Sequence, residues 1–165
     1  MRLLVLSDLH LDHRPSWALA DRFPEFDVGI FAGDIEGSPR DSIELLTTAP
    51  ALRGKPCIFV AGNHEFYGGE IEARLSAGKR AAAGTNVIFL DGDSVVVGGV
   101  RFIGATLWTD YALWGNAKEG RSVAAMSLND HRLISTRDAD DVVPFMPFHA
   151  EGRHVHERAF IEQQS

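Results

Sequence analysis

Residues 57–69 read CIFVAGNHEFYGG. The run from Cys57 to Ala61 is short, unbroken and apolar, the pattern of a strand covered on both faces. It stops at Gly62, and Asn63, His64 and Glu65 follow in a row. An amide, an imidazole and a carboxylate presented together at a strand end call for a common purpose. Two earlier runs have the same shape, LLVL at 3–6 and VGIFA at 28–32. The first is followed by Ser7-Asp8-Leu9-His10 and the second by Gly33-Asp34-Ile35-Glu36. Helix candidates lie between and after the runs, at 17–23, at 41–52 with Ser38 or Asp41 as the cap, and at 70–83 up to Gly84. Alternation of strand and helix predicts a parallel α/β sheet with right-handed crossovers. Ligands of such sheets bind beyond the carboxyl ends of the strands, so the three polar sets are expected to converge on one edge.

Further along, VIFL at 87–90, SVVV at 94–97 and VRFIGATLW at 100–108 are separated by Asp91-Gly92-Asp93 and Gly98-Gly99. Turn residues between apolar runs predict an antiparallel meander or hairpin set, forming a second or mixed sheet. Residues 109–147 are polar and loop-rich, with a helix expected around 117–132, and 148–164 is expected to be the last helix.

The chain of 165 residues suits one domain, 1–165, with a real core. Its 45% hydrophobic and 24% charged residues describe a globular protein. A formal net charge of −7 argues against general nucleic-acid binding, which needs a basic face. It leaves a phosphate substrate open, because bound cations can supply positive charge. Cys57 is the only cysteine, so an internal disulfide and a cysteine-rich zinc site are excluded, and a core role is expected for it. The N-terminal apolar run is too short for a signal-peptide core, and no segment approaches a membrane span; a cytoplasmic protein is expected. No Gly-x-Gly-x-x-Gly follows the first strand, and Ser7 lacks the glycine elbow of a serine hydrolase.

The ligand types fit a metal centre. In an extended segment the alternate residues Asp8 and His10 would point the same way. Gly33 lets the backbone turn closely at Asp34, whose carboxylate can bridge two ions. Mixed Asp, His and Asn ligands without thiolate suit Mn, Fe(II) or Zn in a two-metal site, with ions ~3.5–4 Å apart clamping a phosphoryl group.

SDLH at 7–10, AGDIE at 32–36 and AGNHE at 61–65 resemble, in order, the first three sequence blocks of the calcineurin-like metallophosphoesterases. GATLWTDY at 104–111 and NDHRLI at 129–134 are similar to one bacterial branch of that family. The resemblance implies an α/β fold with two mixed β-sheets sandwiched between helices. It implies hydrolysis of a phosphomonoester or phosphodiester, a small molecule or nucleotide, by a hydroxide activated by two divalent metal ions. Asp8 and His10 match ligands of the first metal, Asp34 the bridging carboxylate and Asn63 a ligand of the second metal. His64 matches the catalytic histidine that protonates the leaving oxygen, and Glu65 takes a supporting role in orienting its loop.

Two further histidine blocks of that family, one closing a strand and one Gly-His-x-His, have no counterpart before Ser165. The domain is therefore expected to be shortened at its C-terminus, with a weak second metal site, an incomplete second sheet and weak or absent turnover by this chain alone. Oligomerisation through that sheet is expected. Alternative readings are a metal-binding module of low activity, or a fragment whose site a partner chain completes. Glu36 reads equally as a turn carboxylate or a supporting group. Asp130 and His131 read as pocket-lining residues or a helix-surface pair. His154 and His156 mimic a His-x-His ligand pair, yet that spacing does not share a helix face, so a surface position is expected. His13 is expected in an exposed loop, and Trp108 and Trp114 either pack or stack a substrate ring.

Overall fold

The computed structural model describes residues 1–13 and 16–164. The first half of the chain runs β1 (Leu3–Leu6), β2 (Val28–Ala32), α1 (Pro39–Thr48), β3 (Cys57–Val60), β4 (Gly69–Glu70) and α2 (Ile71–Ala82). The second half runs β5 (Val87–Phe89), β6 (Asp93–Val97), β7 (Val100–Gly104), α3 (Ala117–Ser127), α4 (Asp130–Leu133), β8 (Ile134–Asp138), β9 (Asp141–Pro144) and α5 (Pro147–Gln164). The result is an α/β fold with parallel and antiparallel pairing.

A four-stranded parallel sheet, in the order β1-β2-β3-β5, forms the centre. One face carries Phe31, Cys57, Phe59, Val87 and Phe89, which pack with Ile43 and Leu46 of α1 and Ile71 and Leu75 of α2. Register places Phe59 beside Phe89, and their rings stack with centroids 5.3 Å apart. Helix α2 comes close because Gly78 lacks a side chain: a Cβ there would stand 2.8 Å from the Phe89 ring and 2.9 Å from Pro39. On the opposite face the β6–β7 hairpin lays Val95, Val97 and Phe102 over Val28, Ile58 and Leu90. The hairpin covers only part of that face. On the edge strand β1, Leu3 is 46% and Val5 59% exposed. The remaining sheet runs β4-β8-β9, with β4 parallel and β9 antiparallel to β8.

Several expectations are corrected. Residues 17–23 form no helix; seven residues are too few to hold one without a packed face, and Leu19 and Phe23 reach the core from an irregular segment. Helix α1 starts earlier than expected, because Ser38 caps it, accepting from Asp41 N at 3.1 Å, and Pro39 takes the first turn. The run at 87–90 belongs to the central parallel sheet rather than to a meander, since α2 is the crossover that returns the chain to it. Only β6 and β7 make the hairpin. The helix expected over 117–132 breaks at Leu128, whose backbone is extended (φ −85°, ψ 135°), and resumes as α4. Strands β8 and β9 lie where a loop was expected, with Thr136 bonded to Glu72 at 3.0 Å and Arg137 to Glu70 at 3.1 Å. Among the described residues no helix is long and apolar enough to cross a membrane.

Candidate metal centre

The three loops that leave β1, β2 and β3 meet at the carboxyl edge of the central sheet. The first two run side by side: Asp8 N donates to Gly33 O, His10 N to Asp34 O and Leu11 N to Ile35 O, at 2.9–3.0 Å. Asp8, His10 and Asp34 all adopt left-handed backbone, with φ of 54°, 46° and 56°. That conformation is costly for residues with a Cβ and clusters at functional sites. It also corrects the expected cause of the Asp8–His10 juxtaposition, which arises from two left-handed turns and not from strand alternation. The second and third loops touch through their glycines. A Cβ on Gly33 would lie 2.6 Å from Gly62 N, and one on Gly62 would lie 2.1 Å from Asp34 Oδ1. Gly33 and Gly62 are thus what let the second and third loops close on one another.

Glu65 ties the loops together from below. It is 0% exposed, and its carboxylate accepts from Asp34 N (2.8 Å), Ile35 N (2.7 Å), Gly62 N (2.8 Å) and the Ser42 hydroxyl (3.0 Å). Burial pushes this carboxyl above its usual range, and the amide donors of Ile35, Asp34 and Gly62 pull it back. Every one of these partners donates, so the arrangement is built around the ionised, acceptor form. Glu36 stands beside it, half-buried, its carboxyl raised by burial and by the charge of Asp12.

One ligand atom each from Asp8, His10 and Asp34 lies within 4.8 Å of the others. His10 Nε2 faces Asp34 Oδ2 at 3.8 Å, and His10 Nδ1 is buried with no hydrogen-bond partner. Two carboxylates and an imidazole gathered this closely match what a divalent cation requires, and oxygen with imidazole donors suit Mn, Fe(II) or Zn. Asp34 Oδ1 accepts from His64 N at 3.0 Å. Asp8, Asp34 and Asn63 line a cleft of about 360 Å³ together with Thr106, Thr109 and Asp130. Asn63 Nδ2 donates to Tyr67 Oη (3.1 Å) and to Asp130 Oδ1 (2.9 Å), and Tyr67 Oη donates to the same Asp130 oxygen (2.8 Å).

His64 is only 7% exposed, and its Nε2 sits 3.0 Å from Asp12 Oδ2. Burial of Asp12 is outweighed by the hydrogen bond and charge of His64, with His13 adding to it, so its carboxyl is held below its usual range. An ionised carboxylate only accepts, so His64 carries its proton on Nε2. The His64 ring also lies 4.7 Å from the rings of His10 and His13 and 4.8 Å from Tyr67. Asp12, His13, His64 and Tyr67 border a neighbouring cavity of about 530 Å³.

The other sequence candidates lie elsewhere. His131 is buried, donating from Nδ1 to Phe145 O at 2.7 Å and accepting at Nε2 from Tyr111 Oη at 3.2 Å. Trp108 packs its ring 4.6 Å from Phe145, whereas Trp114 is 91% exposed. His154 bonds through Nδ1 to the carbonyl of Trp108, behind the cleft wall, and His156 is exposed. An apolar cavity of about 560 Å³, bordered by Tyr111, Trp114, Val123 and Leu128, meets the cleft at Thr109. Sequence reasoning missed Asp12 and Tyr67. Asp12 continues the every-second-residue series Asp8, His10, Asp12, a signal available in the sequence; Tyr67 carried none.

No protein among those with curated functions matches this sequence. Among solved structures, the phosphopantetheinyl hydrolase from Mycobacterium tuberculosis superposes with a TM-score of 0.66 at 20% identity, covering 98% of this chain. This chain spans 63% of the length of that protein. Loops that bring Asp8, His10, Asp34 and Asn63 to one sheet edge fit the family whose profile matches residues 1–159, and the chain belongs to the calcineurin-like phosphoesterases.

Proposed function

We propose that the chain is a divalent-cation-dependent phosphoesterase acting on a phosphomonoester or phosphodiester of a small molecule or nucleotide. The observation that carries this reading is the gathering of one ligand atom each from Asp8, His10 and Asp34 within 4.8 Å, all three on left-handed backbone. These three would hold one cation, and Asp34 with Asn63 a second; Mn, Fe or Zn suit the donors. When bound, the cations neutralise charge on the phosphoryl oxygens and lower the pKa of a bound water. Asp8, Asp34 and Asp130 all line the cleft, in a chain of net charge −7. Without cations such a cleft repels phosphate, so dependence on them should be complete.

The chain's own residues have separable tasks. Glu65 fixes the two loops on which Asp34 and Asn63 sit. His64 holds a proton on Nε2 against Asp12 at the border of the neighbouring cavity, and a leaving oxygen turned toward that cavity would draw its proton from this pair. The apolar cavity beyond Thr109 would take an aromatic or aliphatic leaving group. The test is release of p-nitrophenol from mono- and diesters with Mn added, at high protein concentration. Slow release is expected, well below ~10 per second, abolished by chelator and by Asp34→Asn. Release that is absent with every cation, or that survives chelation, would overturn the reading.

A further inference from the structure

The second cation site rests on Asn63, a neutral and ambivalent ligand. A carboxamide offers an oxygen on one side and a nitrogen on the other, and only the oxygen can meet a cation. Two orientations related by a half-turn fill the same space, and the hydrogen-bond network decides between them. In this structure both hydrogens of Nδ2 are taken, one by Tyr67 Oη at 3.1 Å and one by Asp130 Oδ1 at 2.9 Å. The two acceptors differ in kind. Tyr67 Oη could turn its hydrogen toward an amide oxygen, but that hydrogen is already donated to Asp130 at 2.8 Å. Asp130 is a carboxylate and can only accept. A flipped amide would place its oxygen against that carboxylate, two acceptors facing without a proton between them. The flip is therefore blocked, and the one polar atom left for the cleft that Asn63 lines is Oδ1.

The geometry points to Asp130 as a positioning residue that presents Asn63 Oδ1 to the second cation, with Tyr67 completing the triangle; this rests on the two-cation phosphoesterase reading above. Asp130 reaches the site from α4, 67 residues away in sequence. Helix α3 ends at its C-cap Leu128, and Asp130 is the first residue of α4. Removing a group that orients a metal ligand typically costs about 10–100-fold in metal affinity.

The experiment is Mn titration by calorimetry on the full chain, with a melt of each variant as a folding control. Asp130→Ala should weaken the weaker of two ions by about 10–100-fold and spare the tighter. Asp130→Asn keeps an acceptor oxygen, so it should restore most of the affinity. Tyr67→Phe should have the smaller effect, because Asp130 alone still forbids the flip. The double variant Asn63→Ala/Asp130→Ala should bind no more weakly than Asn63→Ala, since orienting an absent side chain does nothing. Effects that add in the double variant, or wild-type binding in Asp130→Ala, would overturn the inference and leave the phosphoesterase reading standing. A wild-type chain that binds no ion at all would remove both.

Discussion

Glu65 meets Asp34 through the backbone amide and not through the carboxylate, and so holds the backbone of two ligand loops. Its carboxylate answers buried donors from Asp34, Ile35, Gly62 and Ser42. Each buried donor left unanswered costs ~1–3 kcal/mol. Glu65→Ala should therefore lose at least about 3 kcal/mol in a urea melt, and Glu65→Gln should fall between it and wild type because its NH₂ faces other donors. A Glu65→Ala protein within about 1 kcal/mol of wild type would contradict the hub role. Cys57 allows a second check. Burial pushes its thiol up to about 11, so the folded state holds its proton at pH values where the unfolded thiol has lost it. The stability this contributes is complete below the unfolded pKa and disappears as pH rises toward 11. Labelling of native protein by a thiol reagent at pH 8 should be slow and become fast in urea; fast native labelling would show that the strand is not closed. Asp8, His10, Asp34 and Asn63 were legible because each follows an apolar strand in a recognisable block. Asp12 was marked only by its place in the series Asp8, His10, Asp12, and the role of Asp130 was not legible, because its partner Asn63 lies 67 residues away.

At the scale of elements, the central strands announced themselves through unbroken apolar runs, the pattern of a sheet covered on both faces, although β1 is left partly open, with Leu3 and Val5 exposed. Strands β8 and β9 did not. The sequence ISTRD buries only alternate positions, and its partners are polar, Glu70 and Glu72, so no hydrophobic period marks it. The α3–α4 break was hidden for a similar reason, since the polar composition of 117–132 reads as one helix and only packing separates the pieces. Helix α1 begins with Ser38 accepting from Asp41 N and donating to its carboxylate at 2.6 Å. Ser38→Ala should cost ~1 kcal/mol in a thermal melt. The apolar cavity formed by α3 and the loop before it makes a kinetic prediction. Aryl phosphate esters should show a lower KM than short alkyl esters, and Trp114→Ala should raise KM for the aryl ester with little change in kcat. Equal KM values for the two ester classes would show that the cavity does not receive the leaving group.

For the whole molecule, the exposed side of the central sheet matters most. Leu3 and Val5 on edge strand β1, with Val96, Val100 and Ile103 on the hairpin, leave apolar side chains in solvent. An open edge beside apolar surface invites pairing with another chain. Light scattering at micromolar concentration should show dimers or larger species, and Val5→Lys should shift them toward monomer; a wild-type monomer with a cooperative melt would show that the partial cover suffices. The central claim is that the three converging loops form a cation site. It is tested most directly by titrating Mn into the wild-type chain and into Asp34→Asn by calorimetry. Wild type should bind with measurable heat, and Asp34→Asn should lose at least the ~10–100-fold that even an outer-shell partner costs. Equal binding by the two proteins, or none by wild type, would contradict it.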